Sequence, residues 1–164
     1  MAARKAPQKK AEPRATGTVV IGCCGFPVPP TRYFQDFGYV EVGDGSNIQE
    51  NCVVHTFPDR TARFGRDSHI GHGAVVHGAN IGENVLVGMG SVIHERVEIG
   101  DHCIIGSGCV VTANQVIPSG KLVLGVPGKI AGDVTPEMAR AKTVGTKLYQ
   151  TLPPRYKATM KLIG

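Results

Sequence analysis

The sequence contains no tryptophan, and aromatic residues make up only 5% of its 164 positions. A core of large interlocking rings is therefore not expected. No stretch is long or apolar enough to span a bilayer, so no membrane partner is expected. Cysteine is scarce and odd in number, at five. No apolar signal segment precedes the cysteines, so a reducing, cytoplasmic location is expected rather than a disulfide framework. Cys52, Cys103 and Cys109 recur at one place of a six-residue unit, where Ala74, Val85, Ser91 and Val97 stand elsewhere. They read as small buried side chains. Cys23 and Cys24 are adjacent and take no role.

Acid is scarce at both ends, with Glu12 alone in residues 1–16 and none in residues 140–164. Residues 1–16 carry a net +4 and residues 140–164 a net +6, against +5 for the whole chain, which leaves −5 on residues 17–139. The body is thus no basic groove, and no nucleic-acid partner is expected. Residues 1–16 have nothing to bury and are expected to form a disordered basic tail.

What the chain has in quantity is glycine, at 22 residues, and branched aliphatics in step. From Ile81 onward the beat is six: Val87, Ile93, Ile99, Ile105, Val111, Ile117, Val123. Upstream it runs through Val42, Ile48 and Val54 and resumes at Ile70 and Val76, and the step from Val76 to Ile81 is five. This period is that of an all-β solenoid, a parallel β-helix in which three hexads make one triangular coil. The solenoid is expected over 17–132, opening with a strand at Thr18–Gly22. Cys23–Tyr39 is its least regular part, and Thr56–His69, rich in charge and off the beat, an excursion. A C-terminal α-helical segment is expected over 133–164, with Thr135 as N-cap and Pro136 in the first turn. Met138, Ala141, Val144, Leu148 and Leu152 return at helical spacing. Pro153 and Pro154 are expected to stop this helix, with a short second one to follow toward Leu162.

The lattice also places the histidines. His55 and His77 are each second in a hexad of the second face, so they stack on neighbouring coils. His72 is third in a hexad of the first face and projects elsewhere, so one ion can take all three only if His72 comes from a neighbouring subunit. A homotrimer with sites shared between chains is the expected assembly. Three imidazoles leave one tetrahedral position open, the arrangement of a catalytic zinc. His94 falls in the column of His77, while His69 and His102 read as surface or turn residues.

The stretches NIQENCVVH (Asn47–His55), IGHGAVVHG (Ile70–Gly78) and VGMGSVI (Val87–Ile93) resemble the gamma-class carbonic anhydrase family. They are most similar to its branch of phenylacetate-degradation and carnitine-operon proteins, and the ending KTVGTKLYQ (Lys142–Gln150) resembles that branch's C-terminal helix. The resemblance implies a left-handed parallel β-helix trimer with zinc, or iron in some members, at subunit interfaces. It implies His55, His72 and His77 as ligands, and Asn47, Gln49 and Glu50 as the polar set beside the metal, Gln49 orienting solvent.

The family usually has an Arg–Asp pair across the interface. Here Asp36 matches, Phe34 stands where Arg is expected, and Arg32 lies two residues early. A weaker trimer of reduced activity is expected from that change.

The reaction implied is hydration of carbon dioxide to bicarbonate by metal-activated hydroxide. Hydrolysis of an acyl-CoA thioester, a structural or regulatory role without efficient catalysis, and acyl transfer on the same solenoid are the alternatives. Each of the catalytic readings takes a small-molecule substrate.

Overall fold

The structure is a computed structural model that describes residues 19–21, 26–28, 32–35, 38–57 and 60–159, with side chains from Tyr39 onward. The expected basic tail, Cys23, Cys24 and Asp36 lie outside the described residues.

The chain opens with β1 (Val19–Ile21), β2 (Phe26–Val28), β3 (Arg32–Gln35) and β4 (Gly38–Val42). The coils continue as β5 (Asn47–Ile48), β6 (Val53–His55), β7 (Thr61–Phe64), β8 (His69–Ile70), β9 (Val75–His77) and β10 (Asn80–Ile81). They run on through β11 (Leu86–Val87), β12 (Val92–Ile93), β13 (Glu98–Ile99), β14 (Ile104–Ile105), β15 (Val110–Val111) and β16 (Val116–Ile117). The end is β17 (Lys121–Leu124), β18 (Lys129–Asp133) and one helix, α1 (Pro136–Thr159).

Every third coil strand joins the same sheet, which makes the molecule a left-handed parallel β-helix of about five turns with a C-terminal helix. The first face is β1-β5-β8-β11-β14-β17, the second β6-β9-β12-β15, the third β4-β7-β10-β13-β16. Antiparallel hairpins close it: β2 on β1, β3 on β4, and β18 on β17.

Each short strand turns one side chain in and one out. The inward column of the second face is Val54, Val76, Ile93 and Val111, and that of the third is Val42, Phe64, Ile81, Ile99 and Ile117. Nearly all are buried, and they form the core with Ile48, Ile70, Val87, Ile105 and Val123 of the first face. Cys103 and Cys109 are buried as expected, and Cys52 is half-buried.

Two expectations are corrected here. The stretch Thr56–His69 is not wholly an excursion: β7 pairs in parallel with β4 and β10, and Phe64 fills the core position of the third face. Of the described residues between β6 and β7, Thr56, Phe57 and Arg60 belong to no strand. The beat was hidden because an aromatic carries it and four extra residues precede it.

Helix α1 also runs through Pro153 and Pro154 to Thr159, with no second helix among the described residues. Pro153 is buried, and that packing offsets the backbone bonds two prolines forgo.

The three faces differ in what they show outward. The first is covered by α1, which runs back along the coils as expected. The third carries ion and amide pairs, Arg63 with Glu41 at 3.0 Å and Asn80 with Glu98 at 2.7 Å. The second shows a column of valines, Val53, Val75, Val92 and Val110, and no element of the described chain covers it.

The contact face of α1 is polar. Lys142 and Thr146 are buried, and Lys142 Nζ donates to the Asp67 carbonyl and to Asn84 Oδ1. Gln150 donates to the Gly45 carbonyl and Asp67. Val144 and Leu148, from the apolar stripe read in the sequence, are instead 69% and 56% exposed.

Candidate metal centre

His55 and His77 stand opposite each other at the ends of β6 and β9. Their rings stack, with centroids 5.1 Å apart and planes 14° apart. His77 Nε2 lies 3.0 Å from His55 Nδ1, so the two nitrogens face each other within hydrogen-bond reach. Phe57, in the segment between β6 and β7, sets its ring edge on His77 at 4.7 Å. Phe57 thereby packs against one side of His77. Glu95 Oε2 lies 3.8 Å from both His77 Nδ1 and His94 Nδ1. A hydrogen bond from its own backbone N–H, then Arg96 and the two imidazoles, hold the Glu95 carboxyl below the usual carboxylate range.

His72 sits in the corner between β8 and β9, at the other edge of the valine face. The turn at His72 and Gly73 and the length of β9 separate it from His77, which stands at the far end of that strand. Among the described residues, no three His, Cys, Asp or Glu side chains of one chain converge where an ion could sit. His72 Nδ1 lies 2.6 Å from Glu50 Oε2. Its Nε2 faces the Tyr149 hydroxyl of α1 at 3.4 Å.

The remaining polar residues gather around His72. Gln49 Oε1 accepts the His72 backbone N–H at 3.2 Å, and Gln49 Nε2 donates to Asn47 Oδ1 at 3.2 Å. Gln49 Nε2 also lies 2.5 Å from His69 Nε2, and Asn47 Nδ2 3.2 Å from His69 Nδ1. Tyr149 presses edge-on to the His69 ring at 5.0 Å. Burial, then the charges of Lys142 and His72, push the His69 pKa down to about 4. His69 is therefore a neutral, half-buried hub beneath α1, not the surface residue the sequence suggested.

Asn47, Gln49, Glu50 and His72 are thus brought together, and His55 with His77, as two separate clusters. Arg32 pairs with Glu41 along the backbone, and Phe34 with Tyr39. Sequence reasoning missed His69, Tyr149, Phe57 and Glu95. Only His69 had a signal: it stands across from Asn47 in register.

A hexapeptide-repeat family model, described as bacterial transferase hexapeptide (six repeats), matches residues 78–113. The carnitine operon protein CaiE of Escherichia coli O7:K1 is 34% identical over 88% of this chain and 74% of its own length. The chain belongs to the hexapeptide-repeat family, in the gamma-carbonic-anhydrase-like branch of CaiE. Among solved structures, a candidate acetyltransferase from Bacillus cereus is 30% identical with a TM-score of 0.74, covering 76% of this chain and 73% of its own. A hexapeptide transferase family protein from Anaplasma phagocytophilum is 26% identical with a TM-score of 0.68, covering 86% and 90%. The CaiE-like relatives and these transferase-type neighbours share the coil, and a coil alone does not choose between their chemistries.

Proposed function

We propose that this protein is a metal-dependent lyase of the gamma-class carbonic anhydrase type, interconverting carbon dioxide and bicarbonate. Zinc, or iron, would be held by His55 and His77 of one chain and His72 of the next. The observation that carries this reading is the placement of two half-sites at opposite edges of one uncovered valine face.

The residues fit such an ion. Tetrahedral zinc with nitrogen ligands at about 2.0–2.1 Å spaces them roughly 3.3 Å apart, and His77 Nε2 and His55 Nδ1 already face each other at 3.0 Å. A ligating histidine characteristically gives its other nitrogen to a carboxylate. Glu50 stands in that place for His72, leaving Nε2 with the lone pair, and the Glu95 carboxylate faces His77 Nδ1.

The valine column supplies the reason for assembly. Apolar surface left in water favours burial against a second copy. When one face packs head to tail in a closed ring, one edge of a subunit meets the opposite edge of its neighbour. Three prisms joined in this way bring each His72 corner to the next chain's His55 and His77. Hexapeptide-repeat β-helices are typically trimers, which is the ring this geometry needs.

Zinc bound there would lower the pKa of water to about 7 and supply hydroxide at neutral pH. The chain's own residues hold the geometry: Glu50 stands at His72 Nδ1, Gln49 accepts from its backbone N–H, and Phe57 packs against the His77 ring.

A second reading, acyl transfer or hydrolysis of an acyl-CoA thioester, is favoured by the likeness to the Bacillus cereus candidate acetyltransferase. The test is elemental analysis of protein prepared without chelator, with parallel assays of carbon dioxide hydration, acyl-CoA hydrolysis and acetyl transfer. The expected result is close to one zinc or iron per chain, with hydration activity lost in His72→Ala and His77→Ala. An empty wild-type protein, or one that turns over only acyl-CoA, would overturn the lyase reading.

A further inference from the structure

We propose that His69 is a positioning residue that, through Gln49, sets where His72 is presented at the subunit edge. The His72 backbone N–H can only donate, so the group facing it at 3.2 Å must be the Gln49 carbonyl oxygen. That orientation turns the Gln49 NH2 toward Asn47 Oδ1 and His69 Nε2. His69 Nε2 must then be the unprotonated, accepting nitrogen. Its Nδ1 then carries the ring proton and lies 3.2 Å from the Asn47 amide nitrogen without accepting from it, and Tyr149 closes over the ring.

Gln49 is 5% exposed and Asn47 1%, so neither amide can turn over to water if His69 is removed. A buried amide deprived of its acceptor moves to find another. The residue that Gln49 then releases is His72. His69 has no hydrogen bond to the nitrogens of either half-site; Gln49 links it to the His72 backbone, and Tyr149, which rests on the His69 ring and faces His72 Nε2, is kept in place in His69→Phe.

Three variants test this. His69→Phe keeps the ring against Tyr149 and removes both nitrogens, and His69→Gln restores an acceptor. His69→Asn, too short to reach Gln49, carries the same expectation as His69→Phe if the ring change prevents folding.

In metal-free protein, amide hydrogen exchange at His72 is expected to quicken about tenfold in His69→Phe while Ile93 and Ile105 stay protected, and to slow again in His69→Gln. Zinc affinity, measured by competition with a chelator, is expected to fall about tenfold in His69→Phe, as for loss of an outer support. Unchanged exchange at His72, or a uniform rise across the core in every variant, would overturn the positioning role. The zinc arm rests on the proposed function and the exchange arm does not. A wild type that binds no zinc therefore overturns the lyase reading and leaves exchange at His72 to decide this one.

Discussion

At the scale of single residues, burial and two nearby groups hold His69 at a pKa of about 4, against an ordinary 6.5. Between these values the unfolded chain binds more protons than the folded one. Stability tied to His69 is therefore intact above about pH 6.5 and lost as pH falls toward 4. The melting temperature of the wild type is expected to drop more steeply across that window than that of His69→Phe, which has no proton to take up. Parallel slopes in a pH series of thermal scans would show that His69 does not titrate with folding. The ligand candidates were legible in the sequence because the lattice numbers them: His55 and His77 do stand in register. Tyr149 was not legible, since no spacing within the repeat says where a helix nearly eighty residues on will lay its ring.

The elements repeat one rule, that coils stack closely enough to exclude a side chain at one turn position and demand a left-handed backbone at another. The glycines on either side of His72 separate these causes. A Cβ at Gly71 would lie 2.8 Å from the Met89 backbone nitrogen of the next coil. At Gly73, with φ at +69°, a Cβ would meet nothing within 4 Å. Gly71→Ala is expected to cost about 3 kcal/mol by overpacking, and Gly73→Ala about 1 kcal/mol by backbone strain. Denaturant unfolding measures both, and equal costs would mean that stacking distance is not the constraint.

The hexad beat was readable because a branched aliphatic marks each inward position. It failed where Phe64 took that position behind an insertion. The helix was readable from its cap and spacing, but its docking face was not. Lys142, Thr146, Tyr149, Gln150 and Pro153 also recur at helical spacing, and these are the residues that meet the coils. Apolar periodicity pointed to Val144 and Leu148, which face outward, because the partner surface here offers carbonyls and amides to satisfy.

At the scale of the whole molecule, the proposed metal site is one that no single chain would complete. One face is roofed by a helix, one is dressed in paired charges, and one shows valine between two half-sites. The most direct measurement is the zinc content of mixed oligomers. His55→Ala and His72→Ala chains are each expected to bind almost no zinc alone. Co-refolded in equal amounts, a ring in which one chain gives His55 and His77 and the next gives His72 should rebuild about a quarter of the sites. Native mass spectrometry reads subunit mixing and zinc together. Zinc appearing only in mixed oligomers, near that fraction, is the predicted result. Mixed oligomers as empty as either parent, or a parent that holds zinc by itself, would contradict the shared site.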